Sequence, residues 1–452
     1  MKILIAGCGQ VGDTLAKALV SEGHDITLID SKAQILQANV ERYDVICVEG
    51  NCASMKTLES ADVMSADLLI ACTGSDELNL LSCMTAHTMN PSLHTIARIR
   101  NPEYTEQAYR MRDAFGLSMT FNPEQQAARE IATLLKFPGF LKRDSFAKGR
   151  VEIVEIRVDA GSSLDSVALN QLSGIVRCRV LVCAVLRNGA AIAPAGSFIL
   201  QAGDRVFFTA PTDALATLLK NLGIVTHKVK NVMILGGGTV SYYLAELLAE
   251  SGMDLTLIEE DADRCRDLAT AFPRADIICG DVREHSLLES EGLDQTDALV
   301  SLTTLDELNL MMALFAKRRE LPQVITRLEY LDEAGLLGDI PLGSVICPRK
   351  LCCNNVVRYV RAMQNQVGAA ITIHSIADGQ AEALEFRADE HTLHCEEPLK
   401  KIKLRPNILL VGISNGTKTE IPSGDSCFKR GDNVIVVASG DTVVHQLNDI
   451  FA

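Results

Sequence analysis

The 452-residue sequence contains no tryptophan, and aromatic residues make up only 4% of it. Its cores must therefore be filled by aliphatic side chains, as is typical of parallel sheets that are buried on both faces. Hydrophobic residues amount to 47% and charged residues to 22%, a composition that indicates an ordinary globular protein. At roughly 100–200 residues per domain, the length predicts two to four domains.

Basic residues are outnumbered, because 43 Lys and Arg stand against 58 Asp and Glu and leave a net charge of −15. The phosphate backbone of a nucleic acid requires clustered cations, and an anionic lipid surface does too. We therefore expect no nucleic-acid partner. Any association with a membrane would have to run through a protein partner.

Long apolar runs are also missing. No segment offers the roughly 18 uninterrupted apolar residues that a membrane-spanning helix needs. The N-terminal segment Met1–Gly7 is too short for the apolar region of a signal peptide and leads directly into a glycine turn. The sequence therefore predicts a cytosolic protein.

The 14 cysteines fit a reducing compartment. They lie mainly in apolar strands and helices, as Cys72, Cys183 and Cys279 do, where thiols behave as small hydrophobes. The nearest approach to a metal cluster lacks a CxxC spacing and a paired second half; it consists of Cys347, Cys352 and Cys353. We therefore expect no metal site.

The strongest signal in the sequence is a long internal repeat. Residues 2–30 and 231–259 share an apolar strand, a glycine turn, a second strand and an acid at an offset of 229 residues. The string Asp-Glu-Leu-Asn-Leu occurs at 76–80 and returns unchanged at 306–310. The match extends to Gly-Asp-Arg-Val at 203–206 and Gly-Asp-Asn-Val at 431–434. An offset held this closely indicates duplication.

Each copy of the repeat divides into two patterns. In the first half, apolar strand runs alternate with helical patterns, which predicts right-handed βαβ units and a parallel sheet. The predicted strands of the first copy are Ile3–Ala6, Ile26–Ile29, Val45–Val48, Leu68–Ala71 and Thr95–Ala97. A polar, glycine-bearing stretch at 142–149 separates this half from a shorter, β-rich half. That half is predicted to contain strands at 151–158, 178–186 and 205–209 and a helix at 163–172.

The sequence therefore predicts an α/β protein with two tandem Rossmann-like, doubly wound parallel-sheet domains, each followed by a small α+β lobe. The predicted boundaries are 1–140 and 141–227 for the first copy and 228–350 and 366–452 for the second. Linkers are expected near Thr226 and Asn365.

The first glycine turn has the G-x-G-x-x-G spacing of a dinucleotide-binding loop: Gly7, Cys8, Gly9, Gln10, Val11 and Gly12. Gly7 makes the tight turn, Gly9 lets the backbone approach a pyrophosphate, and Gly12 lets the helix pack on the strand. The helix N-terminus supplies free N–H groups and partial positive charge for phosphates. Asp30 ends the second strand, where a carboxylate accepts hydrogen bonds from ribose and repels a 2′-phosphate. NAD or an adenosine nucleotide is therefore favoured over NADP, although an empty, vestigial turn is the alternative.

Other residues follow the remaining strands and are expected around the same cleft: Asn51, Cys52, Thr73, Gly74, Arg98 and Arg100. Arg98 is the most informative, because a cation at the end of a strand above the cleft can pair with a phosphate. The alternative for both arginines is a salt bridge to a neighbouring acid.

The second copy retains part of this pattern in Gly236, Gly237, Gly238, Thr239, Val240, Glu259 and Arg327. Ser241 replaces the third glycine, Thr304 stands where Gly74 stood, and Glu329 stands where Arg100 stood. A charge reversal near the phosphates weakens anion binding. We therefore expect the second cleft to bind a nucleotide less readily, and a triphosphate least.

No motif for catalysis is evident, since the nine histidines lack partners at an interpretable spacing and no P-loop or nucleophile elbow is present. A Rossmann-like unit without visible chemistry indicates a sensor. An NAD-dependent oxidoreductase with duplicated domains remains the alternative.

Several features together resemble the RCK/KTN family of potassium-transport regulators. They are the tandem copies, the glycine motif, Asp30, the Thr-Gly-Ser-Asp-Glu-Leu-Asn-Leu string at 73–80 and Ala-Arg-Ile-Arg at 97–100. The resemblance implies a peripheral regulator on the inner face of the membrane, attached to a channel-like potassium subunit of the TrkH or TrkG type. It also implies a homo-oligomeric ring of RCK domains that binds NAD(H) and ATP or ADP.

By the same resemblance, the nucleotide contacts fall on Gly7–Val11, Asp30, Thr73, Gly74 and Arg98, and in the second copy on Gly236–Val240, Glu259 and Arg327. A nucleotide can gate a channel only if it binds two forms of the ring with different affinity. Arg98 and Arg100 are the expected discriminators, because a γ-phosphate adds charge where a cation could respond to it.

Overall fold

The computed structural model describes residues 1–224, 228–330, 342–363, 370–416, 418–440, 442 and 444–452. They form two compact units, the first containing residues 1–127 and 347–360 and the second 128–346 and 361–452. The expected linkers near Thr226 and Asn365 lie outside the described residues. The predicted domain boundaries stay predictions.

The first unit is built on a six-stranded parallel sheet. Its strands are β1 Lys2–Ala6, β2 Asp25–Asp30, β3 Ile46–Glu49, β4 Leu68–Ala71, β5 His94–Arg98 and β6 Met119–Phe121. Its helices are α1 Gln10–Ser21, α2 Ala33–Val40, α3 Met55–Ser60, α4 Asp76–Met89 and α5 Pro102–Arg110, and α6 Pro123–Lys136 begins in it. The order β3-β2-β1-β4-β5-β6 is that of a Rossmann fold, as predicted.

Burial explains why these segments form strands in the middle of a sheet. All four residues of β4 and the last four of β1 are buried, so both faces are covered. The helix α1 buries Val11, Leu15 and Leu19 at helical spacing against this sheet. Strand β6 was not predicted, because its three residues are too few to show a periodicity.

The first lobe follows as a five-stranded antiparallel sheet with the order β10-β9-β11-β8-β7. Its elements are β7 Lys142–Phe146, β8 Val151–Arg157, α7 Leu172–Val176, β9 Leu181–Arg187, β10 Ala190–Ile192, β11 Arg205–Pro211 and α8 Leu215–Asn221. The three strands that were predicted here are confirmed within a few residues.

The second parallel sheet repeats the first, with the order β14-β13-β12-β15-β16-β17. Its strands are β12 Asn231–Leu235, β13 Asp254–Glu259, β14 Asp276–Cys279, β15 Ala298–Ser301, β16 Gln323–Arg327 and β17 Ser344–Ile346. Its helices are α9 Thr239–Leu248, α10 Ala262–Ala271, α11 His285–Ser290 and α12 Asp306–Arg318, followed by α13 Pro348–Met363. The prediction of two tandem doubly wound domains is confirmed.

The second lobe repeats the first lobe. Its strands are β18 Thr372–Ile376, β19 Ala381–Arg387, β20 Ile408–Ser414, β21 Thr419–Glu420 and β22 Asn433–Ser439. They pair in the order β18-β19-β22-β20-β21. This matches the first lobe, whose order read from its other edge is β7-β8-β11-β9-β10. Within the second unit, the two lobes share one hydrophobic core that includes Phe146, Phe207, Ile376 and Ile435.

Two predictions for the first lobe were wrong. The polar stretch at 142–149 is not a separator, because most of it is strand β7, paired antiparallel with β8. Its charges are paired inside the lobe, as between Arg143 and Glu152 at 3.0 Å. The helix predicted at 163–172 was placed too early: Ser166 has φ +62°, Ala168 forms a β-bridge to Ile199, and the α-helix α7 begins at Leu172.

The two helices that follow the parallel sheets are each divided between units. Residues 128–136 of α6 belong to the second unit, where the Gln323 side chain donates to the Leu134 carbonyl at 2.9 Å. Residues 348–360 of α13 belong to the first unit, where the Cys353 thiol lies 3.7 Å from the Thr14 carbonyl. In the described part of the chain, no helix combines the length and apolar character needed to cross a bilayer.

Candidate functional site

The glycine turn after β1 is shaped by two different constraints. Gly7 has φ +96°, and a Cβ there would lie 2.8 Å from the Thr73 backbone. A Cβ at Gly12 would lie 2.0 Å from the Gly7 carbonyl oxygen, so helix α1 can sit this close only with glycine. A Cβ at Gly9, in contrast, would meet no atom within 4 Å. Packing therefore explains Gly7 and Gly12, whereas the space at Gly9 is open for something that approaches from outside.

The N-terminus of α1 faces this open space. Gly9 is its N-cap, and no side chain caps the helix, whose first residues are Gln10 and Val11. The first N–H groups of a helix have no partners within the helix and carry partial positive charge. Uncapped N–H groups beside an open turn are suited to bind a phosphate.

Asp30 is held in place at the end of β2, next to the turn. Its Oδ2 accepts from the Cys8 N–H at 2.8 Å, and its Oδ1 accepts from the Lys32 N–H at 2.9 Å. Each carboxylate oxygen has more than one acceptor position, so both can accept a further hydrogen bond. The two backbone donors therefore orient the carboxylate and leave acceptor positions on both of its oxygens.

The residues after β3 and β4 lie at the same edge of the sheet. The Asn51 side chain accepts from the Ala53 N–H at 3.0 Å, and Thr73 donates from both its N–H and its hydroxyl to Asn79. Gly74, like Gly9, would leave a Cβ without a neighbour within 4 Å.

The thiols of Cys8 and Cys52 do not face the cleft. Both side chains are buried, and the Cys8 thiol is directed to the Ile29 carbonyl at 3.8 Å while Cys52 accepts from the Ser82 hydroxyl at 3.2 Å. Burial raises the pKa of both thiols. Their expected contribution to a nucleotide site is therefore limited to the backbone.

Two residues that sequence reasoning did not assign fix the geometry of the cleft. The buried Asp76 carboxylate accepts from the N–H groups of Arg100 and Asn101, each at 2.8 Å. The fully buried Asn79 accepts from Thr73 and donates to the Arg98 carbonyl at 2.9 Å. They join the ends of β4 and β5. Their unchanged return as Asp306 and Asn309 was the signal that could have identified them.

Both arginines of the first cleft have acidic partners. Arg98 Nη2 lies 2.8 Å from Glu124 Oε1, and the two side chains are only 15% and 17% exposed. The buried Nε of Arg98 has no hydrogen-bond partner among the described residues. Arg100 Nε lies 3.6 Å from Asp76, and its guanidinium also donates to the Gly74 carbonyl. The salt-bridge alternative is therefore realised for both, and Arg98 retains a donor.

The turn of the second copy has the same construction. Gly236 has φ +94°, and the Gly237 N–H donates to Glu259 Oε2 at 2.5 Å, as the Cys8 N–H does to Asp30. A Cβ at Gly238 would again meet no atom within 4 Å. Thr239 and the buried Val240 begin α9 after this turn.

Two residues distinguish the second turn from the first. Ser241, at the position of Gly12, is buried and donates its hydroxyl to the Gly236 carbonyl. Arg264 on α10 donates to the Gly237 carbonyl at 2.7 Å. Arg264 was not predicted from the sequence. The signal that could have identified it is the difference between the copies, because the first copy has the apolar Ile35 at the corresponding position.

The remaining cation of the second cleft is paired on its own strand end. Arg327 Nη2 and Nε lie 3.0 and 3.2 Å from Glu329 Oε1. The charge reversal from Arg100 to Glu329 therefore places a carboxylate directly against this guanidinium. Thr304, which replaces Gly74, also lies at this edge, after β15.

All predicted residues of the first cleft thus lie at the carboxyl ends of β1–β5 within one unit. The predicted residues of the second cleft occupy the same ends of β12, β13 and β16 in the other unit. Among the described residues, no group of three or more His, Cys, Asp or Glu side chains is placed to hold a metal ion.

Known proteins share this organisation. The model of the TrkA-N domain family matches residues 3–123 and 232–348, and that of the TrkA-C domain matches 153–223. The Trk system potassium uptake protein TrkA of Haemophilus influenzae is 31% identical over 459 residues, which cover 100% of this chain and 98% of that protein.

Two solved structures have the same fold. The GsuK channel bound to NAD has a TM-score of 0.61 and 17% identity, with 97% of this chain and 76% of that chain covered. GsuK bound to ADP has a TM-score of 0.52 and 14% identity, with coverage of 80% and 69%. The resemblance to the RCK/KTN regulators, and among them to TrkA, is confirmed by the matches over the full chain. This chain therefore belongs to the TrkA family of Trk-system potassium uptake proteins.

Proposed function

We propose that this chain is a non-catalytic, nucleotide-sensing regulatory subunit of a Trk-type potassium uptake system. It binds NAD(H) and ATP or ADP in its Rossmann-like clefts. From the inner face of the membrane it controls potassium flux through a subunit of the TrkH or TrkG type. The observation that carries the proposal is the open space at Gly9, beside the uncapped N-terminus of α1 and the oriented Asp30 carboxylate.

The residues of the first cleft fit an adenine dinucleotide in a defined way. The pyrophosphate is bound by the N–H groups at the start of α1, where Gly9 leaves room for it. Asp30 accepts hydrogen bonds from the ribose hydroxyls, and its charge disfavours a 2′-phosphate. That GsuK has been solved with NAD and with ADP supports the same ligand classes here.

Arg98 is the residue through which the first cleft senses phosphate charge. Its ion pair with Glu124 joins the end of β5 to the start of α6, and α6 continues into the second unit. A phosphate group competes with Glu124 for the guanidinium, so that its arrival changes the connection between β5 and α6. A shift of ten- to a hundredfold in a gating equilibrium needs about 1.4–2.8 kcal/mol of differential binding, which one or two charge-assisted hydrogen bonds supply.

The second cleft is the weaker of the two in this proposal. Glu329 neutralises Arg327, which is the counterpart of Arg98. Arg264 brings a different cation to the glycine turn, next to the position of a diphosphate. The second cleft therefore suits a dinucleotide better than a triphosphate.

The assembly is a homo-oligomeric ring attached to the membrane through the potassium subunit. The name of the Haemophilus influenzae relative supports a potassium uptake system as the context. The competing hypothesis, an NAD-dependent oxidoreductase, predicts turnover of 2-hydroxy acids or amino acids with NAD. We expect none.

The test is potassium flux into vesicles that contain a TrkH-type subunit, with and without this chain, in the presence of NADH, ADP or ATP. Gly9→Val places a side chain in the open space, where its Cβ would have no protein atom within 4 Å, and Gly238→Val is the matched variant in the second copy. We expect Gly9→Val to co-purify with the membrane subunit yet to lose the nucleotide response, whereas Gly238→Val retains most of it. An unchanged response in Gly9→Val would contradict the proposal.

A further inference from the structure

Two cysteines lie side by side at the edge of the second cleft. Cys265 is a buried residue of α10, and Cys279 is the last residue of β14, directly opposite Glu259 in the parallel pairing of β13 and β14. The two thiols are directed to consecutive backbone carbonyls, those of Glu259 and Glu260. Cys279 was expected to behave as a small hydrophobe in an apolar strand, but among the 14 cysteines, all of which the structure describes, it is the exposed one.

Both thiols also support the backbone that carries Glu259. Cys265 Sγ lies 3.3 Å from the Glu259 carbonyl, and Cys279 Sγ lies 3.9 Å from the Glu260 carbonyl. Arg264, which precedes Cys265 on α10, donates to the Gly237 carbonyl at 2.7 Å. The thiol pair is therefore connected to the glycine turn through both Glu259 and Arg264.

We propose that Cys265 and Cys279 are a redox-active pair, which a peroxide closes into a disulfide, and that closure changes the second cleft. The Cys279 thiolate attacks one peroxide oxygen, the O–O bond breaks, and hydroxide leaves to become water. The Cys265 sulfur then attacks the resulting Cys279 sulfenic acid, and a second water leaves. Two thiols and one hydrogen peroxide thus give one disulfide and two waters.

The surroundings assign the order of attack and the class of oxidant. Cys279 is exposed and reaches the oxidant first. Burial, the adjoining Cys279 and the neighbouring Glu259 raise the pKa of Cys265 to about 11, so that it remains protonated until it resolves the sulfenic acid. The acidic residues around the pair, Glu259, Glu260 and Asp261, repel anionic disulfides such as oxidised glutathione but not a neutral peroxide.

Closure of the disulfide changes the second cleft because the thiols lose their hydrogens. The carbonyls of Glu259 and Glu260 then lose their sulfur donors, and α10 is drawn toward β14. The hydrogen bond from the Gly237 N–H to Glu259 is weakened as a result. The first copy has Leu36 and Glu49 at the corresponding positions, so it cannot respond and serves as an internal control.

The experiment treats the reduced full-length chain with hydrogen peroxide or oxidised glutathione and maps the peptides under non-reducing conditions. We expect hydrogen peroxide to give a Cys265–Cys279 linked peptide that has lost two hydrogens, and glutathione to react far more slowly. In Cys265→Ser, Cys279 should proceed to sulfinic acid; in Cys279→Ser, Cys265 should stay reduced. Absence of the linked peptide in the wild type, or oxidation of Cys265 in Cys279→Ser, would overturn the proposal.

The effect on the cleft is read by hydrogen exchange, without any nucleotide. Oxidation should accelerate exchange at the Gly237 amide on the order of tenfold and leave the Cys8 amide unchanged. Equal exchange before and after closure would refute the coupling to the cleft. A further readout rests on the proposed function. NADH is titrated into reduced and oxidised Gly9→Val, and oxidation should change binding at the second cleft only if Cys279 is present. If the reduced protein binds no nucleotide, the proposed function fails, while the peptide map and the exchange rates still decide this inference.

Discussion

The two Rossmann-like copies use the same buried side chains to hold their strand ends together, but they differ in the ion pairs that their cleft arginines form. Asp76 and Asn79 join neighbouring strand ends in the first copy, and Asp306 and Asn309 do the same in the second. The cations above the clefts diverge. Arg98 pairs with an acid on a helix that continues into the other unit, whereas Arg327 pairs with Glu329 on its own strand end.

After the duplication, the residues that hold the backbone of the strand ends stayed the same, whereas residues around the cleft changed. Residues that satisfy buried backbone groups could not change without a loss of stability, so they returned unaltered. Residues that face the cleft could change, and in the second copy they did. In the first copy the partner of the cation, Glu124, lies on α6, the helix that is divided between the two units.

The largest effect is expected from the position at which one copy has glycine and the other serine. Gly12→Val should lower the free energy of unfolding of the first unit by about 3 kcal/mol, because its Cβ would meet the Gly7 carbonyl, which cannot move aside. Ser241→Gly removes only one hydrogen bond and should cost about 1 kcal/mol. Denaturant unfolding followed by hydrogen exchange in each unit measures both values. Equal losses would show that the two helices pack alike.

The helices α6 and α13 begin at matching positions of the two copies, with Pro123 and Pro348. Glu130 on α6 lies among Asp144, Lys142 and His374; burial, and then Asp144, raise its pKa to about 7. The matching position on α13 is Asn355, whose amide side chain does not ionise.

Because the pKa of Glu130 in the folded state exceeds its value in the unfolded chain, the folded state holds the proton more tightly. The stabilisation is complete below about pH 4.5 and is lost as the pH rises to about 7. Glu130→Gln should remove this dependence and exceed the wild type in stability by about 1–3 kcal/mol at pH 8. Parallel pH profiles of unfolding for the two proteins would show it, and superimposable profiles would refute it.

A smaller effect is expected at the cations. Arg98→Ala should weaken binding of ADP or ATP about tenfold, corresponding to about 1.4 kcal/mol, because one charge-assisted contact to phosphate is lost. It should also abolish nucleotide control of potassium flux without loss of the fold. Arg327→Ala is the matched variant, and it should alter total binding little because Glu329 already neutralises that guanidinium. Calorimetry on both variants measures the two affinities. An equal loss of nucleotide affinity in both would show that the two arginines do not differ in this role.

The smallest effect is expected from removal of the acid in the second cleft. Glu329→Gln frees the charge of Arg327 and should strengthen nucleotide binding at the second cleft by less than tenfold, about 0.5–1 kcal/mol. Titration of Glu329→Gln in the Gly9→Val background isolates this cleft. Weaker binding than in Gly9→Val alone would show that Glu329 contributes a contact instead of opposing one.

Much of the fold could be predicted because its signals are local. Apolar runs such as Leu68–Ala71 and the spacing of the glycine turn are visible within a few residues, and the duplication reported each of them twice. The placement of Asp30 beside the turn follows from the geometry of a βαβ unit.

The missing parts depend on partners that are distant in sequence. Strand β7 is polar, and it is a strand because Arg143 and Asp144 find Glu152 and His374 inside the second unit. Arg98 meets an acid 26 residues later, at the start of a helix that was not predicted. Arg264 carries no motif, so only its contact with the Gly237 carbonyl shows that it belongs to the second cleft.

In the proposed function, a phosphate-bearing adenine nucleotide binds over the first glycine turn. Calorimetric titration of the pure chain with NADH, alongside Gly9→Val and Gly238→Val, tests it most directly. The valines should cost about 1 kcal/mol of helix capping and leave both proteins folded, which thermal unfolding can verify. The tightest binding event should disappear in Gly9→Val and survive in Gly238→Val. Undiminished uptake of NADH by folded Gly9→Val would contradict it.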